Sequence, residues 1–227
     1  MLKDKSKILI AIDGTAGVGK SSVGKAVALQ YGISFLSTGQ MYRCLGWKAL
    51  ESGINLADEA AVIKTAKDIV WGFERQADSS LKVLIDGKYL GSKLLLEETG
   101  AAASKVSAIP QARQVITQKQ KDLGLAGGIV MEGRDIGTVI CPQAPLKIYL
   151  TAAPQARALR RVKQLEQEGQ KADYEAILAS IKARDERDTK RSVAPLKPAA
   201  DALIIDTSDM SLQQVIDKVL EAASKLW

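Results

Sequence analysis

The sequence predicts an α/β protein: a parallel sheet flanked by helices, with a small antiparallel sheet inserted into it. Three observations carry this expectation. Short apolar runs alternate with helical stretches along most of the chain, the pattern of strand–helix–strand crossovers. The first apolar run, Ile8-Leu9-Ile10-Ala11-Ile12, enters a glycine-rich turn and then a helix. Between residues 69 and 90 that rhythm breaks into short strand-like pieces around Asp86-Gly87, a hairpin turn signal.

In chain order, Ile8 to Ile12 is short and continuously apolar, as a strand buried on both faces should be. Gly14-Thr15-Ala16-Gly17-Val18-Gly19-Lys20-Ser21 follows, a full match to the phosphate-loop pattern. Its glycines let backbone N–H groups point at phosphate oxygens, and the helix predicted over Ser22 to Tyr31 adds the positive end of its dipole. Lys20 is expected to reach β- and γ-phosphates, and the Ser21 hydroxyl to ligate Mg²⁺. Ile33 to Leu36 reads as a strand, Gly39 to Ser52 as a helix stopped by Gly53, and Asp58 to Ile69 as a helix capped by Asp58. Ile69 to Phe73, Leu81 to Ile85 and Lys88 to Leu90 form the inserted strands. Ser92 to Ser104 and Pro110 to Asp122 read as helices, the second with Pro in its first turn and Gly124 at its end. The core rhythm resumes with strands at Gly128 to Met131, Leu146 to Leu150 and Ala202 to Asp206. Pro154 to Glu168 and Tyr174 to Lys190 are long charged helices joined around Gly169, and Ser211 to Leu226 closes the chain.

Composition narrows the chemistry. The chain has 227 residues, 46% hydrophobic and 26% charged, enough for a real core. The net charge of +6 suits a protein that holds several phosphates as well as one that binds nucleic acid. Cys44 and Cys141 match no metal or redox spacing and are expected as free thiols in a reducing cytoplasm. With no histidine, His-based nucleophile chemistry and His-ligated metals are excluded. No apolar run approaches membrane-spanning length, and Met1 to Lys5 fits no signal peptide.

Ligands of a parallel sheet bind beyond the carboxyl ends of its strands, where two polar clusters should meet: Asp13 to Ser22, and Glu132 to Thr138. Glu132 is placed as a strand-end acid that can hold Mg²⁺, directly or through water, or bond to a sugar or base. Arg134 can grip a phosphate by its planar fork, and Asp135 can orient it or bond to a sugar or base. Arg157 and Arg161 stand four apart on one predicted helix face; Arg184, Arg187 and Arg191 share another, with Asp188 among them. The plain alternative is i,i+4 pairing with Asp185 and Glu186 on a solvated helix. Thr38 and Arg43, just past the second strand, could bind an acceptor and its phosphate.

These residues carry a resemblance across almost the whole chain. The phosphate loop from Ile12-Asp13-Gly14 through Ser22, Ser37-Thr38-Gly39 with Met41-Tyr42-Arg43, and Ala102 through Ser107 are part of it. So are Glu132 through Thr138, and Arg184 through Asp188 with Arg191 through Leu196 and Pro198 through Ala202. Together they resemble the bacterial cytidylate kinases, a family of nucleoside-monophosphate kinases. The resemblance implies a P-loop kinase core over residues 1–37 and 109–227, an inserted monophosphate-binding domain over 38–108 and a short lid within 154–190. It implies γ-phosphoryl transfer from ATP to CMP or dCMP, with ATP and Mg²⁺ bound, no nucleic-acid or membrane partner, and a cytoplasmic monomer. Gly14, Thr15, Ala16, Gly17, Val18, Gly19, Lys20, Ser21 and Ser22 would cradle the donor. Thr38, Arg43, Ser104, Arg113, Arg134, Asp135, Arg184 and Asp188 would face the acceptor. Lys20, Arg134, Arg157, Arg161 and Arg191 would serve the transferring group. Thr15 stands where the family usually has proline, Thr38 where serine is common, and Glu132 where aspartate is common.

Two other readings stay open on the residues alone. Another small acceptor, such as UMP or shikimate, would use the same loop. A nucleotide switch or RNA-binding protein would use the basic surplus, although the guanine motif N/T-K-x-D of a GTPase is missing; Lys119-Gln120-Lys121-Asp122 lacks its first residue.

Overall fold

The computed structural model describes residues 4–226; the first three residues of the segment read as lacking a signal lie outside them. Five parallel strands form the central sheet in the order β2-β6-β1-β7-β8: β1 Leu9–Gly14, β2 Ser34–Ser37, β6 Ile129–Gly133, β7 Leu146–Thr151 and β8 Leu203–Asp206. Every residue of β1 is buried, as expected for a central strand covered on both faces. Alternation along it feeds two cores. Leu9 and Ala11 pack with Leu36, Met131, Met41 and Ile116 under α2 (Gly39–Glu51) and α5 (Pro110–Ala126). Ile10 and Ile12 pack with Val130, Ile148, Val23 and Val219 under α1 (Lys20–Tyr31) and α8 (Leu212–Ser224). One residue of register separates the two faces.

Between β2 and β6 lies the insertion. It holds α3 (Glu59–Asp68), capped by Asp58 as predicted, and the antiparallel sheet β3 (Trp71–Arg75), β4 (Leu81–Ile85) and β5 (Lys88–Tyr89). Asp86 and Gly87 turn the β4–β5 hairpin with φ of 51° and 76°. The loop between β3 and β4 reaches the free edge of the core sheet: Phe35 N donates to Ser79 O at 2.8 Å, and Arg75 Nη2 to Ile33 O at 3.2 Å.

Two predicted helices differ in their ends. Ser92 to Ser104 is not one helix: a 3₁₀ segment, Gly91–Leu95, is separated from α4 (Glu97–Val106) by Leu96 in an extended conformation. Arg43 Nη1 donates to Leu94 O at 2.6 Å, so a side chain takes a carbonyl at the break. Gly124 does not end α5, which runs to Ala126 and stops at Gly127. A Cβ at Gly124 would stand 2.3 Å from Cys141 Sγ; that glycine serves helix packing. After β6, residues Ile136–Ile140 make a single π turn that periodicity did not signal. The helical hairpin α6 (Pro154–Gln167) and α7 (Tyr174–Lys190) lies between β7 and β8 in sequence, joined through Gly169.

Candidate active site

The phosphate loop is shaped by backbone. At the end of β1, Gly14 pairs with Leu150 of β7, and a Cβ there would lie 2.0 Å from Leu150 O. Gly19 caps α1 in the left-handed region, φ 91°, a conformation open to glycine. Lys20, the first residue of α1, is buried, and its Nζ curls back to Thr15 O at 2.6 Å. Burial pushes its pKa down to about 7; Arg134 and Arg184 push the same way, while Glu132 and Asp13 oppose them. Among the described residues Lys20 has no ion-pair partner, and a phosphate would supply one to its buried ammonium.

Parallel pairing of β1 with β6 sets Ile12 beside Glu132. Ser21 Oγ, exposed to the cleft, donates to Glu132 Oε1 at 2.7 Å. Two hard oxygens beside the lysine fit a magnesium ion that shares its coordination with phosphate and water. Among the described residues no group of three or more Cys, Asp or Glu forms a closed cage for a metal.

Across the cleft, side chains make the site. Thr38 Oγ1 donates to Glu132 O at 2.8 Å, so its hydroxyl bonds the end of β6. Arg113 Nη2 holds Asp135 Oδ2 at 2.6 Å, both side chains buried, with the guanidinium over the Tyr42 ring at 5.4 Å. Burial works against the Arg113 charge, but Tyr42 and Asp135 outweigh it and its pKa lies above the usual value. Arg191 Nη2 lies 3.8 Å from the other Asp135 oxygen. Arg134 Nε pairs with Asp188 Oδ2 at 2.8 Å. Among the described residues Arg184 has no ion-pair partner; desolvation and the charges of Arg134, Arg43 and Arg187 lower its pKa, and Asp188 offsets part of this. Arg43 is half-buried against Gly100, and Ser104 is exposed on α4.

The two arginines expected on one face of α6 separate. Arg157 is buried: Nε donates to Ala152 O at 3.0 Å, Nη1 to Ala16 O of the phosphate loop at 3.2 Å, and the fork grips Asp185 at 3.0 and 2.5 Å. Arg161 is exposed and makes no hydrogen bond or ion pair. Its neighbour Arg160 instead donates to Thr207 and to Ser208 O, tying α6 to the end of β8. Sequence reasoning missed Arg160, and the plain alternative it left open was pairing of Asp185 and Glu186 along their own helix. Glu186 does pair that way, with Lys190 at 2.6 Å, but Asp185 crosses to α6. The buried Lys147, paired with Asp201 at 2.5 Å, was also missed; a lysine within an apolar strand run was its only signal.

The family described as Cytidylate kinase matches residues 10–225. A cytidylate kinase of Pasteurella multocida is 40% identical over 95% of this chain and 94% of its own length. One of Rhodococcus jostii is 41% identical over 97% of this chain and 96% of its own. In fold, the chain resembles an uncharacterized protein from Eubacterium ventriosum, with a TM-score of 0.52 and 16% identity over 96% of this chain and 99% of that one. Among the described residues no helix is long and apolar enough to cross a membrane. Because the family match runs from β1 into the last helix and takes in every cleft residue described above, the chain belongs to the cytidylate kinase family.

Proposed function

We propose that the cleft transfers the γ-phosphoryl group of ATP to CMP and to dCMP, giving ADP with CDP or dCDP. One observation carries the reading: the buried, anion-deficient Lys20 and the Ser21–Glu132 pair lie at the strand ends that also present Arg134 and Asp135. A 5′-phosphate oxygen of the acceptor attacks the γ-phosphorus in line, and the bond to the β-phosphate oxygen breaks. That oxygen needs no protein base, because a phosphate monoester loses its second proton near pH 6. Catalysis is then positioning and charge neutralisation.

In this reading the backbone of Gly14 to Ser22 cradles the donor, and Lys20 follows the charge that develops between β- and γ-oxygens. Magnesium, held by Ser21 and by Glu132 directly or through water, would supply further neutralisation. Thr38, Arg43, Ser104, Arg113, Arg134, Asp135, Arg184 and Asp188 serve the acceptor, within an insertion over residues 38–108 and the facing core. Arg157 and Arg191 complete the transfer site. Arg161 would join only if the lid within 154–190 moved, since it faces solvent in this structure. Closure would exclude water as a competing acceptor. The buried free thiols Cys44 and Cys141 suit a reducing, cytoplasmic setting, and we read the protein as a monomer.

The test is a panel of acceptors (CMP, dCMP, UMP, AMP and shikimate) offered with magnesium-ATP and read by ADP release. CMP and dCMP should turn over fastest. Preference for UMP or shikimate, or no acceptor-dependent ADP at all, would overturn the reading.

A further inference from the structure

We infer that Asp13 is a positioning residue that locks the acceptor-facing turn to the root of the phosphate loop. Its carboxylate is buried at the end of β1. Oδ1 accepts the amide of Ile136 at 2.9 Å and Oδ2 that of Gly137 at 2.8 Å, residues 123 and 124 positions away. The next residue after Asp13 is Gly14, which opens the phosphate loop; the two before Ile136 are Arg134 and Asp135. One side chain therefore spans the seam between donor and acceptor halves.

Lys147 from β7 packs against the same turn at Gly137. A Cβ at Gly137 would meet Lys147 Cδ at 3.1 Å and Asp13 Oδ2 at 3.5 Å, and Lys147 itself is anchored to Asp201. The turn is thus held by a carboxylate that takes its first two amides and by an alkyl stem packed beside that carboxylate against Gly137. Its single π turn has few internal bonds of its own, so those amides depend on Asp13. Burial pushes the Asp13 carboxyl up to about 6, the Ile136 and Gly137 amides pull it down, nearby Asp135 raises it and Lys20 lowers it. Tyr149 and Cys141 also feel its charge. Two donors converging on one ionised carboxylate make charge-assisted bonds, stronger than neutral ones. Loosening them frees Arg134 and Asp135, where a small misplacement is expensive for transfer.

This rests on the phosphoryl-transfer reading of the same cleft, and the experiment separates the two. In full-length Asp13→Asn protein the amide carbonyl can accept one of the two N–H groups, while its NH₂ faces the other donor to donor. The KM for CMP should rise about tenfold or more with the KM for ATP within about twofold. Amide exchange at Ile136 and Gly137 should quicken by about tenfold with β1 unchanged. Equal rises in both KM values, faster exchange throughout the sheet, or unchanged exchange at the two amides would overturn the proposal. If the variant fails to fold, the wild type carries the test: both amides should be protected at pH 7 to the same order as those of β1, and exchange at the free-peptide rate would refute it. A wild type without activity toward CMP would remove the transfer reading and leave the exchange result standing.

Discussion

The donor and acceptor halves of the cleft are built from different materials. In the proposed reading the phosphate loop is one contiguous stretch in which glycine backbone, a helix start, Lys20 and the Ser21 hydroxyl would do the binding. In that reading the acceptor half is made of arginines drawn from α2, α5, the turn after β6, and α7, and two of the four already hold an aspartate: Arg113 with Asp135, Arg134 with Asp188. On the lid side, Arg157 holds Asp185 in the same way. A backbone site waits for its anion with N–H groups free. A side-chain site orders its cations through other side chains and carbonyls: Arg113 and Arg134 by carboxylates, Arg43 by the Leu94 carbonyl, partners that an incoming phosphate must displace or share. The first should tolerate side-chain change at positions such as Thr15 that offer only backbone, but not at Lys20, Ser21 or the crowded and left-handed glycines Gly14 and Gly19; the second should be sensitive at each pair.

The largest test of that contrast is Lys20→Ala. Removing the loop's ammonium group should lower kcat by about a thousandfold or more. Thermal stability should stay equal or rise, because burial already disfavours the charged lysine. Near-normal turnover would break the donor half of the account. Next, Arg184→Ala should raise the KM for CMP by about 10- to 100-fold, the scale of a lost charged hydrogen bond, and raise that for ATP less. Steady-state kinetics with each substrate varied would check this, and an equal shift in both would blur the division.

Asp13 gives a smaller, pH-dependent effect at the seam. Its carboxyl is raised from 3.8 to about 6 in the folded protein. The unfolded chain therefore loses this proton first, and between pH 4 and 6 the native state holds more protons. The contribution of Asp13 to stability must fall as pH rises through that window, by about 3 kcal/mol, and the loss is complete above it. Denaturant titrations of wild type and Asp13→Asn across pH 4–7 should show this slope in the wild type alone. The smallest effect is expected at Thr15. Its carbonyl, not its hydroxyl, holds Lys20, so Thr15→Ala should leave kcat/KM within about twofold; a tenfold loss would mean the loop depends on side chains after all.

The same difference decides what the sequence could reveal. Gly14 to Ser21 is legible because backbone chemistry needs fixed residue types at fixed spacing. The strands were legible from apolar runs, since a doubly covered parallel sheet leaves β1, β6 and β7 apolar along most of their length. The arginines were visible as a set, but their partners were not. Arg157 meets Asp185 28 residues away, and Arg134 meets Asp188 54 away, through packing that no local spacing encodes. The i,i+4 rule that placed Arg161 beside Arg157 gives a shared helix face, not a shared environment. The break at Leu96 has the same origin, because a distant arginine takes a carbonyl there. The turn at Ile136–Ile140 also owes its shape to a residue far back in sequence, Asp13.

The division between halves is measured most directly by calorimetric titration of wild type and Arg134→Ala protein, each with CMP and, separately, with magnesium-ATP. We predict that CMP affinity falls at least about tenfold in the variant while ATP affinity stays within about threefold. Equal losses for both nucleotides, or a loss for ATP alone, would contradict it.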